Sequence, residues 1–351
     1  MFKNLFSRKF DRVLLLALLF GLAIFAAWGI QQLRFPETKP ASESESFFEI
    51  EVAVAAEPIS PIPTKVNLDP AKVDLGNQLF HDPQLSSDGS VSCATCHLLN
   101  RGGTDRLPKS VGMLGSNTGI NSPTVYNSGF HFRLNWDGKA ETLEEQAEGP
   151  LAAAKEMGGI GWSEVVEKLK QSPEYVEAFD DAYGSEIDPE NIKNALAVFQ
   201  RSLYTPNAPF DLYLKGNKNA ISPQAKEGYD LFKSYGCISC HQGMLVGGNM
   251  FQSLGIFGNY FSDRGSITKS DYGKYNVTGK EEDRYVFKVP SLRNVVLTSP
   301  YFHDGNPQTL DEAIKLMGKY QLGVEIPQND VDSMMSFLRS LTGEYQGKPL
   351  S

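Results

Sequence analysis

Every cysteine of this 351-residue chain belongs to one of two copies of a five-residue motif, Cys93-Ala94-Thr95-Cys96-His97 and Cys237-Ile238-Ser239-Cys240-His241. A CxxCH run places two thiols to form thioethers with the vinyl groups of a haem, and the histidine that follows reaches the iron as its proximal ligand. Both copies therefore read as sites for covalently bound haem c, with Cys93, Cys96, Cys237 and Cys240 attaching and His97 and His241 ligating. A zinc ion shared by the two CxxC pairs is disfavoured. The pairs stand 144 residues apart, outside structural-zinc spacing, and each is followed by histidine. A thioredoxin-like redox pair needs a lone CxxC beside a βαβ pattern, and the chain has neither.

The chemistry of the two haems then turns on their second axial positions. A haem that reacts needs a site that opens, whereas a haem that only passes electrons benefits from two permanent ligands. Met317 follows His303-Asp304-Gly305 on a helical stretch, and a thioether opposite histidine raises the reduction potential. Met244, Met250, Met334 and Met335 offer the same donor atom, and methionine also serves as core filler. Of the remaining histidines, His303 is expected among haem surroundings, while His81 and His131 have no assigned role.

Positioning these groups calls for two helical units. The length suits two domains, and an internal repeat runs through the chain. Gly76-Asn77-Gln78-Leu79-Phe80 precedes the first motif as Gly228-Tyr229-Asp230-Leu231-Phe232 precedes the second. Downstream, Pro123-Thr124-Val125-Tyr126-Asn127, Trp136-Asp137-Gly138 and Thr142-Leu143-Glu144-Glu145 correspond to Pro290-Ser291-Leu292-Arg293-Asn294, His303-Asp304-Gly305 and Thr309-Leu310-Asp311-Glu312, each offset by 167 residues. The haem motifs are offset by 144, so the second copy has 23 additional residues in the Gly-rich stretch after Met244. Apolar spacing at Ile192, Ala195, Leu196, Phe199 and Leu203 after Asp188-Pro189 predicts a helix. Thr309 to Glu312 carries a capping-box pattern, and residues 331–341 close the chain with another helix. Strand signals are few and short. The expected fold is all-α, with two duplicated cytochrome c-like haem domains, residues 67–207 and 208–351, behind an N-terminal transmembrane helix.

Residues 13–30 form an uncharged apolar run of 18, a membrane-span candidate. Lys3, Arg8, Lys9 and Arg12 before it hold that end in the cytoplasm. A cleaved signal peptide would have a shorter apolar core and a small-residue cleavage site, and Phe25-Ala26-Ala27-Trp28 offers no clean one. Residues 1–34 are thus expected to be a cytoplasmic N-terminus and retained inner-membrane anchor, with both haem domains periplasmic. Residues 35–66, rich in Pro, Ser, Glu and Ala, are expected to be a flexible linker. Residues 1–34 carry a net +4, which leaves −13 on the rest of a chain whose total is −9. So acidic a body argues against nucleic acid as a partner.

Further residues carry a family resemblance. They are Leu79-Phe80-His81-Asp82-Pro83, Asn121-Ser122-Pro123-Thr124-Val125, Trp136-Asp137-Gly138, Glu156-Met157, Thr205-Pro206-Asn207-Ala208-Pro209-Phe210, Val246-Gly247-Gly248-Asn249-Met250-Phe251, Val286-Phe287-Lys288-Val289-Pro290 and Tyr301-Phe302-His303-Asp304-Gly305. With the two CxxCH motifs they resemble bacterial di-haem cytochrome c peroxidases over residues 67–345. That resemblance implies a peroxidatic N-terminal haem that reduces hydrogen peroxide to water, fed by an electron-transferring C-terminal haem. It implies Met317 as distal ligand of the C-terminal haem, Glu156 as the catalytic carboxylate, Gln146 in the distal pocket and Trp136 between the haems. It also implies one calcium ion held by Asn121 and the backbone carbonyls of Thr298 and Pro300. The residue types suit the chemistry. Breaking the peroxide bond requires a proton to pass from one oxygen to the other, which a carboxylate above the haem can carry, with Gln146 orienting peroxide or water.

The chain departs from the resemblance at Met113, twenty-three residues before Trp136. Many family members have there a histidine that ligates the resting peroxidatic haem and leaves when the other haem is reduced. A thioether also ligates iron, though ferric iron less strongly than imidazole does, and the alternative is a mobile hydrophobic loop residue. Two readings compete. A di-haem oxidase of a protein or organic substrate would have tyrosine rather than Met317 opposite the second haem. A membrane-tethered electron-transfer cytochrome would have both irons permanently six-coordinate and Glu156 idle. The electron donor is left open between a small cytochrome c, a cupredoxin and a membrane quinol, and a homodimer is compatible with the reading.

Overall fold

Proline is disfavoured in helix interiors but suits a first turn, and it opens most of the long helices. A computed structural model describes residues 57–351. In chain order the principal helices are α1 (Pro70–His81), α2 (Leu143–Ala152), α3 (Trp162–Lys170), α4 (Pro173–Tyr183), α5 (Pro189–Ser202), α6 (Pro209–Leu214), α7 (Pro223–Ser234), α8 (Leu310–Met317) and α9 (Gln328–Arg339). Asp69, Asp188 and Ser222 cap α1, α5 and α7 with their side chains, as N-cap residues do for otherwise orphaned amides. The expected transmembrane helix at residues 13–30 lies outside the described residues. Among the described residues no helix is long and apolar enough to cross a membrane.

The duplication is visible in the packing. Helix α1 crosses α5, and α7 crosses α9. A glycine stands at each crossing. A Cβ on Gly76 would lie 2.0 Å from the Ala195 carbonyl oxygen, and one on Gly228 would lie 1.9 Å from that of Ser333. The backbones approach that closely because nothing projects between them. Leu75, Leu79, Phe80, Leu196 and Phe199 centre one core, and Phe210, Tyr229, Phe232, Met334 and Phe337 centre the other. The starts of α2 and α8 repeat in detail: Thr142 and Thr309 hydroxyls accept from the amides of Glu145 and Glu312 at 3.1 and 3.2 Å. The two glutamates accept in turn from the amides of Glu141 and Gln308, one residue before each cap, at 2.7 and 2.8 Å.

The halves meet on one buried hydroxyl. Asn127 and Asn294, related by the repeat, both adopt left-handed backbone with φ of 61° and 60°. Their side-chain amides donate to the same Thr205 oxygen at 2.8 and 3.0 Å, and all three residues are buried. Strand content is small, as expected. β1 (Phe251–Ser253) pairs antiparallel with β2 (Val286–Lys288), and β3 (Glu344–Tyr345) pairs with β4 (Lys348–Pro349). The first pair belongs to the longer stretch of the second copy, whose chain buries Tyr260 and Phe261 against Phe287 and Tyr320.

Both ends of the described residues are packed. Residues 57–62 are built into the C-terminal half. Tyr229 Oη donates to Glu57 at 2.6 Å, the Gly243 amide to the Pro58 carbonyl at 2.7 Å and Arg293 Nη2 to the Ser60 carbonyl at 2.9 Å. Ile59 and Ile62 are 2% and 1% exposed, and burying such a side chain contributes ~1.5–3 kcal/mol. That outweighs what Pro-rich composition alone implies. At the other end Tyr345 and Leu350 pack against the N-terminal core, the Tyr345 ring meeting Tyr126 edge-on at 5.3 Å.

Candidate active site

The second CxxCH turn follows α7 and faces a cavity of about 270 Å³ lined by Cys237, Cys240, His241 and Met317, with Leu310, Ile314 and Leu338 among its apolar wall. Met317 is the last residue of α8, which puts the histidine and the thioether expected on one iron around one space. His241 Nδ1 lies 3.2 Å from the Val246 carbonyl, and burial pushes the imidazole down to about 4. In a neutral ring Nδ1–H donates that bond and leaves the Nε2 lone pair for a metal. His97 repeats the arrangement, with Nδ1 3.3 Å from the Gly103 carbonyl and its ionisation suppressed by burial.

The cysteines fit thioethers better than thiolates. None is in a disulfide. Burial pushes the Cys93 thiol up to about 12 and the Cys237 thiol up to about 11, far from the depressed values of redox or metal-binding thiols. Burial, then the charges of Asp105 and Glu156, push Cys96 up to about 11. Glu156 therefore lies within electrostatic reach of the first attachment turn.

Around that turn the structure brings together Glu156 and Met113. Gln146 is half-buried on α2, and Glu156 follows the end of that helix. Burial raises the Glu156 carboxyl above the usual range, with Lys139 pulling the other way. Met113 is adjacent: its amide donates to the Glu156 carbonyl at 3.1 Å, and a Cβ on Gly112 would stand 2.2 Å from the Lys155 carbonyl. Ser87 Oγ donates to the Met113 sulfur at 3.1 Å. The next residue, Leu114, is 85% exposed in left-handed backbone with φ of 54°.

Trp136 sits between the halves. Its indole Nε1 donates to the Asn121 carbonyl at 2.9 Å and its ring meets His303 edge-on at 6.3 Å. The Asn121 side-chain amide donates to the carbonyls of Leu107 at 3.0 Å and Pro300 at 3.2 Å, so Asn121 and Pro300 meet across the interface, and both line the cavity with Thr298. His303 also lines it, with Phe287 stacked on its ring at 4.4 Å. His81 instead closes α1, its Nδ1 2.9 Å from the Asn77 carbonyl. Sequence reasoning missed the buried partners of His303. Its Nε2 lies 2.7 Å from Asp271, which Arg264 grips at 2.8 Å while also pairing with Asp304. No spacing signal links residues that the chain separates by so much.

Two attachment turns on duplicated helical halves, each with a neutral, tethered histidine, define a di-haem c-type protein. A family model described as di-haem cytochrome c peroxidase matches residues 70–219. The chain is 43% identical over 295 residues to a cytochrome c551 peroxidase of Nitrosomonas europaea, covering 84% of this chain and 86% of that one. It is 39% identical over 294 residues to a cytochrome c551 peroxidase of Pseudomonas aeruginosa, covering 81% and 84%. It is 47% identical over 289 residues to the cytochrome c peroxidase Ccp of Escherichia coli, 82% of this chain but only 62% of that relative's length. A crystal structure of a MauG-like protein associated with microbial copper homeostasis superimposes with a TM-score of 0.71 at 28% identity, over 83% of this chain and 94% of the other. The chain belongs to the di-haem cytochrome c peroxidase family.

Proposed function

We propose that this protein reduces hydrogen peroxide to water, H2O2 + 2 e⁻ + 2 H⁺ → 2 H2O, with electrons taken up at the C-terminal haem from a small cytochrome or similar donor. Haem c at Cys93 and Cys96 would supply the iron that cleaves the peroxide bond, and haem c at Cys237 and Cys240 a one-electron relay. The observation that carries the proposal is Glu156, a half-buried carboxyl of raised pKa within electrostatic reach of the first attachment turn. It takes a proton from one peroxide oxygen and returns it to the other, while Gln146 orients the substrate. Trp136, held by its bond to Asn121, lies on the electron path between the halves. Met317 would hold the relay haem together with His241, and Met113, on a loop whose amide donates to the Glu156 carbonyl, would hold the peroxidatic haem at rest.

A calcium ion belongs to the same proposal. Asparagine and peptide oxygens are donors that suit it, and Asn121, Thr298 and Pro300 would hold it where the halves meet. Chelation is expected to slow peroxide turnover and added calcium to restore it; a chelator-insensitive rate removes the ion from the site. We also place the haem body in the periplasm, anchored through residues 13–30, on the strength of their apolar run and basic flank. Carbonate extraction of membranes bearing the full chain tests that anchor. Mass spectrometry of the whole protein is expected to show two haem additions and no free thiol, and a single addition would overturn the proposal.

A further inference from the structure

Lys288, on β2, holds a buried charge that the proposed reaction does not use. The residue is 8% exposed and lines the cavity shared by Cys237, Cys240, His241 and Met317. Among the described residues no other lysine or arginine lines that cavity, and no aspartate or glutamate does. Its side-chain neighbour is His131, whose Nδ1 lies 3.3 Å from Lys288 Nζ. Burial, and then the Lys288 charge, push His131 down to about 3, so the histidine is neutral and supplies no counter-charge. Burial alone pushes Lys288 down to about 8. A buried ammonium without an anion is costly, and proteins pair such groups.

The cavity therefore requires an anionic occupant that presents its charge at the Lys288 wall and apolar surface elsewhere. Haem c has that character, since its macrocycle is apolar and its anionic groups are two propionates. We infer that Lys288, backed by His131, binds a propionate of the haem attached at Cys237 and Cys240. The inference rests on the di-haem reading of that site. It adds a consequence for electron transfer, because the Lys288 amide donates to the Trp136 carbonyl at 2.9 Å. One residue thus grips the haem edge with its side chain and the tryptophan with its backbone. Lys288 is a positioning residue, and its charge favours the reduced haem.

Redox titration of the C-terminal haem tests this. In Lys288→Gln the ferrous-to-ferric ratio at fixed ambient potential is expected to fall about tenfold, equivalent to 59 mV for one electron. Lys288→Arg, which keeps the charge, is expected to stay within about threefold of wild type. With both haems loaded, an unchanged C-terminal potential in Lys288→Gln, or a shift confined to the N-terminal haem, overturns the inference. If Lys288→Gln does not load haem, the propionate bending band of wild type decides, read by resonance Raman in H2O and D2O. A deuterium-sensitive band at the C-terminal haem supports the contact, and an insensitive one overturns it. A wild-type protein with one haem by mass would instead sink the di-haem reading, which the titration leaves untouched.

Discussion

Glu156 would pass for a solvated loop acid beside Lys155, yet its carboxyl is half-buried and raised by that burial. Glu156→Gln keeps the shape and removes the proton carrier. It is expected to retain both haems while slowing peroxide reduction by at least ~10²-fold, the lower range for losing a positioned acid or base; near-normal turnover at saturating donor rejects the role. Met113 tests the neighbouring loop. Met113→Ala is expected to expose a high-spin, peroxide-reactive haem in the fully oxidised protein, with the C-terminal haem spectrum unchanged. A variant that remains all low-spin with wild-type ligand bands rules the thioether out. At this scale the attachment residues were legible because CxxCH is contiguous. The Asp271, Arg264 and His303 network was not, because burial of a charge depends on what tertiary packing brings around it.

Helices were legible where local signals suffice. Asp188-Pro189 announces α5, and Thr142 and Thr309 announce α2 and α8, since a cap acts within four residues. The glycine at each helix crossing was visible as a repeat, but its purpose required the partner carbonyl. Gly228→Ala would drive a Cβ to 1.9 Å from the Ser333 oxygen, and is expected to cost ~3 kcal/mol or more, the upper end for overpacking. Chemical denaturation of the holoprotein reads it, and a cost below about 1 kcal/mol would mean that α7 and α9 separate freely. The stretch between β1 and β2 carries a pH prediction. Burial raises the Asp271 carboxyl, but hydrogen bonds from His303, Arg264 and Thr268 outweigh it and hold the group below the usual carboxylate range. Its stabilisation is full above the unfolded value near ~3.9 and is lost as pH falls below it. Asp271→Asn is therefore expected to be less stable at neutral pH yet to lose less on acidification than wild type. Parallel melting curves from pH 7 to 3 would contradict this.

For the whole molecule, the pseudo-symmetric join at Thr205 is the testable feature. Thr205→Val strands two buried amides, Asn127 and Asn294, at ~1–3 kcal/mol each. It should lower the denaturation midpoint of both haem halves together; a loss confined to one half would show that the amides find other acceptors. The duplication itself was legible from the 167-residue offset, whereas the packing of residues 57–62 was hidden by a Pro-rich composition that includes the buried Ile59 and Ile62. That packing also governs how the protein comes to be folded. The Arg293 guanidinium that binds Ser60 is separated from it by 233 residues, and residues 344–350 complete the half that begins near α1. Residues 57–62 find their partners only once the C-terminal half has formed, and the N-terminal half is complete only once residues 344–350 are in place. Contacts of such sequence separation slow the search for the native state, so both halves depend on pairings between the two ends of residues 57–351.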